Sequence, residues 1–201
     1  MTKSELLASI AETGYNAGFG AKKHFATYDL VDKTPGFISF VSMAFGIYAL
    51  AFDTLSTKFL SASFIVLGVI GLYITLYDHK KNHYEELGVK LTQIYNALAT
   101  LYRNAKNAEE ESIDNFEQEL KQLQDEYYTL SESKQIMFSD WYAHYKFFWQ
   151  HQIDWLEEQK QFTLFRDKIP ITFLLLLIGL ILTLSVLGFQ SNKYLCALIL
   201  Q

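Results

Sequence analysis

Three stretches of this chain contain no charged side chain: residues 36–52 (GFISFVSMAFGIYALAF), 59–77 (FLSASFIVLGVIGLYITLY) and 169–189 (IPITFLLLLIGLILTLSVLGF). Each approaches the roughly 20 apolar residues that a helix needs to cross the hydrocarbon of a bilayer, whereas the residues between the second and third are charged enough for water. Buried core helices of a soluble protein are the competing explanation of such runs. Leu, Ile, Val and Phe number 8, 11 and 15 in the three stretches, so the third inserts most readily and the first least. The pattern predicts an all-α integral membrane protein: an N-terminal helix over 1–35, a two-span hairpin over 36–77, a cytoplasmic coiled-coil-like helical region over 78–165, and a third C-terminal span with its tail over 166–201. Both prolines, Pro35 and Pro170, stand at the starts of apolar runs. A missing N–H costs nothing there, so they are expected to mark helix starts.

Basic residues set the expected orientation. Lys22, Lys23 and Lys33 precede the first run, Lys80, Lys81 and Lys90 follow the second, and Lys160, Arg166 and Lys168 precede the third; Lys58 and Lys193 fall on the other side. The positive-inside rule then puts the N-terminus and central region in the cytoplasm and the C-terminus outside an inner (cytoplasmic) membrane. Arg166 and Lys168 are expected at headgroup level.

Several chemistries lack support. The net charge is −5 and no Lys/Arg run resembles a nucleic-acid-binding tail, which argues against direct nucleic-acid binding. The single cysteine, Cys196, cannot form an intrachain disulfide. No phosphate-binding, nucleophile-elbow, zinc-protease or EF-hand pattern is found, so no catalytic residue, cofactor or metal site is assigned. His79, His83 and Glu86 share a helical face, but beside Lys80 and Lys81 they read as interfacial polar residues. The uncharged runs hold no Asp, Glu, Lys, Arg or His, which disfavours an energised pump.

Small and hydroxyl side chains do recur at helical spacing. Ser39, Ser42, Gly46 and Ala49 are 3, 4 and 3 apart; Gly68, Gly71 and Thr75 continue a line from Ser61; Gly179 and Thr183 are four apart. Such stripes let helices approach closely, within the hairpin or between subunits. The lesser alternative is a mildly polar pore lining once several chains assemble.

The water-soluble segments carry two seams. Leu7, Ile10, Gly14, Ala17, Ala21, His24 and Tyr28 keep a 3-4 spacing with mostly small side chains. Leu87, Leu91, Ile94, Leu98 and Leu101 form a heptad-like line, the candidate oligomerisation seam. The heptad breaks at EEES, residues 109–112, and resumes at Ile113, Phe116 and Leu120. Either one helix runs through a skip or the chain turns into an antiparallel helical hairpin. Beyond it, an aromatic stretch with Ser139 as its expected N-cap holds Trp141, Trp149 and Trp155. It is read as a helix at the membrane interface, with these tryptophans as anchors, or as an aromatic core against the heptad helices.

The segments YNAGFGAKKHFATYDLVDKTPGFISFVSMAFGIYAL (15–50), IYNALATLYRNAKN (94–107) and FRDKIP (165–170) together resemble the SLATT family (SMODS and SLOG-associating 2TM effector domain) of prokaryotes. The resemblance spans most of residues 10–175. It implies an effector that forms pores in the membrane, or disrupts it, when a sensor protein or nucleotide-producing enzyme encoded nearby detects invasion, as in antiviral defence. Its partners would be the lipid bilayer and further copies of itself. The rival is a non-conducting membrane scaffold or sensor acting through its cytoplasmic helices. A third span departs from the two-span pattern.

Overall fold

The computed structural model describes residues 1–52, 58–109, 113–130, 132, 134–151 and 153–199, with side chains to residue 185. The expected turn at 53–57, the centre of the expected heptad break at 110–112, and the side chains of the C-terminal tail lie outside the described residues. Seven α-helices are described: α1 (Lys3–Ala51), α2 (Lys58–Thr75), α3 (Lys81–Asn107), α4 (Ile113–Thr129), α5 (Ser139–Phe148), α6 (Asp154–Glu157) and α7 (Ile171–Ile199), and no strand occurs among the described residues. Met1–Gln161 and Phe162–Gln201 are two separate units.

In the first unit α1 begins at a capping box: the Glu5 N–H donates to the Thr2 hydroxyl (3.3 Å), and the Thr2 N–H donates to the Glu5 carboxylate (2.8 Å). Its 3-4 seam is buried at Ile10, Gly14, Ala17, Ala21 and His24. The partner seam is α3, where Leu87, Leu91, Ile94, Leu98 and Leu101 are all buried. Lys3 donates to the Ala108 carbonyl (2.7 Å) at one end of this pair, and Gly88 lies against Phe25 at the other, so α3 runs antiparallel to α1.

The Met1 amino group pairs with Glu117 (2.8 Å) and Gln124 donates to Thr13 (3.0 Å), so α4 runs parallel to α1 and therefore antiparallel to α3. Of the two alternatives at residues 109–113, the structure takes two helices: α3 ends at Asn107 and Ala108 is extended (φ −82, ψ 159). Leu120 joins Leu6, Ile10, Leu98 and Leu101 in one core.

The aromatic stretch is not one amphipathic helix. It breaks after α5 and resumes as the single turn α6. Ser139 is the first helical residue rather than the cap; Phe138 caps, in the left-handed region (φ 67, ψ −1). The reason is the inner face: Phe147 reaches Tyr15 and Phe19 (5.6 and 5.8 Å between rings), while Trp155 sits on Gly14 and lies tilted against Tyr95 and Tyr102 (5.4 and 5.3 Å). One straight helix cannot place both rings in the core.

Pro35 does not start a helix; α1 runs through it for 49 residues. Proline removes one N–H rung, to the carbonyl of Val31, whereas breaking the helix beside lipid would strand several backbone groups at several kcal/mol each. The N-terminal segment and the first apolar run are therefore one rod. The rod changes character at this point. Every buried residue of α1 lies between Leu6 and Val31. Beyond it Phe37, Phe40, Met43, Ile47 and Leu50 are bare, Phe40 being 70% and Leu50 91% exposed. α2 folds back with Phe64 against Phe45 (5.8 Å) and exposes Phe59, Ile65, Val69 and Leu72. Two helical stretches, including these halves of α1 and α2, are long and apolar enough to cross a membrane.

In the second unit Thr163 donates from its N–H and hydroxyl to Asp167 (2.8 and 3.0 Å), closing a π-turn over Leu164–Lys168. Pro170 then immediately precedes α7, whose residues Ile171–Ser185 are apolar.

Candidate functional site

Where the hairpin meets the bundle, the connection between α4 and α5 holds both of its legs. Glu132 accepts from Lys80 (3.0 Å) and meets the His83 Nε2 (2.9 Å), just after α2. Tyr84 donates its hydroxyl proton to the Lys134 carbonyl (2.9 Å). On the α1 side Thr27 donates to the Gln135 Oε1 (2.5 Å), and the Gln135 amide lies 3.2 Å from the His24 Nδ1. Below them Ile136 packs between Val31 and Ile74. Glu132, Lys134, Gln135 and Ile136, a strap between α4 and α5, thus bind the helix entering the hairpin to the helix leaving it.

The electrostatics of this latch follow from burial. His24 is buried and stacked on Tyr84 (5.9 Å), and desolvation depresses its pKa to about 4 against the weaker opposing pull of Glu132. It is neutral at pH 7, which leaves Nδ1 free to accept from Gln135. The hydrogen bond from Lys80 holds the Glu132 carboxyl below its ordinary range. A cleft of about 220 Å³ opens alongside, lined by Lys23, His24, Leu91, Tyr127, Glu132 and Gln135. Among the described residues no nucleophile stands beside a base here; the contacts tie the strap to both legs of the hairpin at its base.

The membrane candidates separate into two groups. Ser42 and Ala49 are half-buried, whereas Ser39, Gly46, Gly68 and Thr75 are exposed. A Cβ added at Gly46, Gly68, Gly71 or Gly179 would meet nothing within 4 Å, so these glycines do not serve close packing inside the hairpin. The hydroxyls of Ser39, Thr75 and Thr183 donate to carbonyls of their own helices, those of Pro35, Leu72 and Gly179, at 2.7–2.9 Å. Back-bonded hydroxyls are compatible with lipid as well as with water.

The expected oligomerisation seam is filled from within one chain: Leu87, Leu91, Ile94, Leu98 and Leu101 face α1, whose small residues admit α3 closely, and none is left open to a second copy. Of the tryptophans, Trp149 is 64% exposed, Trp141 half-buried, and Trp155 packed inside with its indole N–H on the Tyr95 hydroxyl (2.9 Å). Trp155 therefore belongs to the aromatic core, the second of the two readings of this stretch. Arg166 pairs with its neighbour Asp167 (3.2 Å), and Lys168 closes the same turn. Glu132, Gln135 and Thr27 carry no signal in the sequence, because they belong to no motif and their partners lie 49 to 111 residues away.

Residues 1–177 match the family model described as SMODS and SLOG-associating 2TM effector domain 6. No curated protein and no solved structure matches the chain.

Proposed function

The chain belongs to the SMODS and SLOG-associating 2TM effector (SLATT) family, whose members are two-span effectors of conflict and defence systems, and on that footing we propose that it is an oligomeric, pore-forming or membrane-disrupting effector of antiviral defence. The observation that carries this is the divided α1: one continuous helix is buried in a helical bundle up to Val31 and stands bare and uncharged from Phe37 onward. A lever of that kind transmits a change in the bundle directly to the membrane.

One hairpin without charged residues cannot enclose a water path; several side by side can, with hydrophobic constrictions that gate by dewetting. Self-association is assigned to the bare membrane faces, not to the filled α3 seam. The trigger, delivered by a nearby-encoded sensor or by a nucleotide-producing enzyme's product, would loosen the strap of Glu132, Lys134, Gln135 and Ile136. The inner membrane, a cytoplasmic bundle and α7 as a third span complete the proposal, supported by the distribution of basic residues and by the apolar run Ile171–Ser185.

A non-conducting scaffold or sensor is the second reading. It is favoured by the self-satisfied hydroxyls of Ser39, Thr75 and Thr183, which leave no need for a wet lining. Dye release from liposomes holding the purified full-length protein separates the two. Leakage that rises steeply with protein density supports the pore; intact liposomes at every density and with every candidate trigger support the scaffold.

A further inference from the structure

The turn that follows the strap has an unusual composition for its backbone. The Ser139 N–H donates to the Ile136 carbonyl (3.2 Å), which makes residues 136–139 a tight turn with Phe138 third. Its angles, φ 67 and ψ −1, are those a type II turn demands of its third residue, where glycine is the unstrained choice. Phe138 is the one non-glycine residue with positive φ among the described residues, and it is 52% exposed; its neighbour Met137 is 62% exposed. A strained backbone that leaves half of a phenylalanine uncovered is costly for what it gains inside the chain.

Its height in the molecule gives the explanation. Ile136, the inward residue of the same turn, is wedged between Val31 and Ile74, where the hairpin leaves the bundle. At this level other aromatic rings gather from separate elements. Trp141 lies against Phe138 (4.7 Å between rings), and Tyr142 borders a groove with Leu30, Lys33 and Phe37. Tyr73 and Tyr77 pair at the end of α2 (5.7 Å), with the Lys134 ammonium 5.8 Å from the centre of the Tyr77 ring. From Gly36 to Phe52 the helical rise gives about 25 Å, close to the hydrocarbon thickness, so a bilayer that takes the hairpin has its headgroup layer at this collar. Amphipathic rings and lysines are the side chains favoured there.

We infer that the Met137–Phe138 turn is a lipid anchor that seats the cytoplasmic bundle on the interfacial layer of the membrane. Phe138 and Met137 enter the glycerol region, Trp141, Tyr142 and Tyr77 ring them, and Lys134 faces anionic headgroups, whereas Lys33 is already paired with Asp29. The occupant is lipid rather than a second copy, because aromatic rings and the Lys134 ammonium gather at the base of the bare lengths of α1 and α2, the composition of a headgroup layer. The strap and the anchor are adjacent in sequence, so movement of one displaces the other. This inference rests on the membrane placement proposed above.

The test is depth-dependent quenching in full-length protein carrying Cys196→Ser, reconstituted in vesicles of phosphatidylcholine with phosphatidylglycerol. An environment-sensitive label is attached at Met137→Cys, or at Phe138→Cys as a second site, with Met43→Cys and Arg103→Cys as references. A headgroup or shallow spin-labelled lipid is expected to quench positions 137 and 138 about threefold more than position 103, while a deep spin label quenches position 43. Quenching at 137 and 138 no stronger than at 103, with position 43 deeply quenched, overturns the anchor alone. An unquenched position 43 overturns the membrane placement together with it.

Discussion

A methyl group at Gly14 would lie 2.3 Å from the Trp155 ring, which its hydrogen bond to Tyr95 holds in place. Gly14→Ala gains roughly 1 kcal/mol of helix propensity but forces the ring outward, and overpacking of this kind costs about 1–3 kcal/mol. The clash wins: the variant is expected to melt at a lower temperature in detergent. Gly46→Ala, where a Cβ meets nothing, should melt no lower than the parent. The seam spacing predicts that Gly14 is packed; only the fold reveals that the packing partner is a tryptophan 141 residues further on. His24 gives a second residue-scale prediction. Burial lowers its folded pKa from 6.5 to about 4, so between these values the unfolded chain binds more protons. Stability is fully present above pH 6.5 and falls as pH drops toward 4, by on the order of 3 kcal/mol for this group. His151, half-buried beside Tyr95 and also held to about 4, adds in the same direction. Melting temperatures at pH 7.5 and 5.0 check this. The parent is expected to lose more than His24→Gln, and equal losses in the two proteins would remove His24 from the account.

At the scale of elements the question is what Pro35 does inside α1. It omits one rung at the point where the helix passes from bundle to bare hairpin, which makes that point the easiest place on the rod to bend. Pro35→Ala restores the rung and is expected to raise stability by on the order of 1–3 kcal/mol while reducing triggered dye release; unchanged release would show that the bend takes no part in opening. The seams of α1 and α3, the break between α3 and α4 as one of two outcomes, and the uncharged halves of α1 and α2 are all legible from periodicity and charge, because those signals are local. The continuity through Pro35 is not, since a proline before an apolar run marks a start equally well. The heptad line on α3 looks like a surface for another copy until α1 is seen to lie along it. The latch is invisible for the same reason: Glu132 and Gln135 acquire meaning only when Lys80, His83, Thr27 and His24 are brought to them.

The first unit, Met1–Gln161, is a packed helical bundle with a bare hairpin rising from one end, and such an apolar surface far exceeds what a soluble monomer keeps in water. If conduction follows from assembly of these hairpins, a joint Ser39→Leu and Ser42→Leu change tests the lining. Lost leakage with unchanged oligomer size would place these serines at the path; unchanged leakage would keep the pore and remove that lining. The most direct test of the central claim, that lipid covers the second half of α1 and all of α2, is hydrogen exchange on full-length protein in lipid nanodiscs. Protection is expected to be high and continuous over 37–51 and 59–75, and to collapse there when lipid is stripped while the 6–31 segment stays protected. Recovery of the full-length chain as a soluble monomer without detergent, with those same segments already protected, would contradict it.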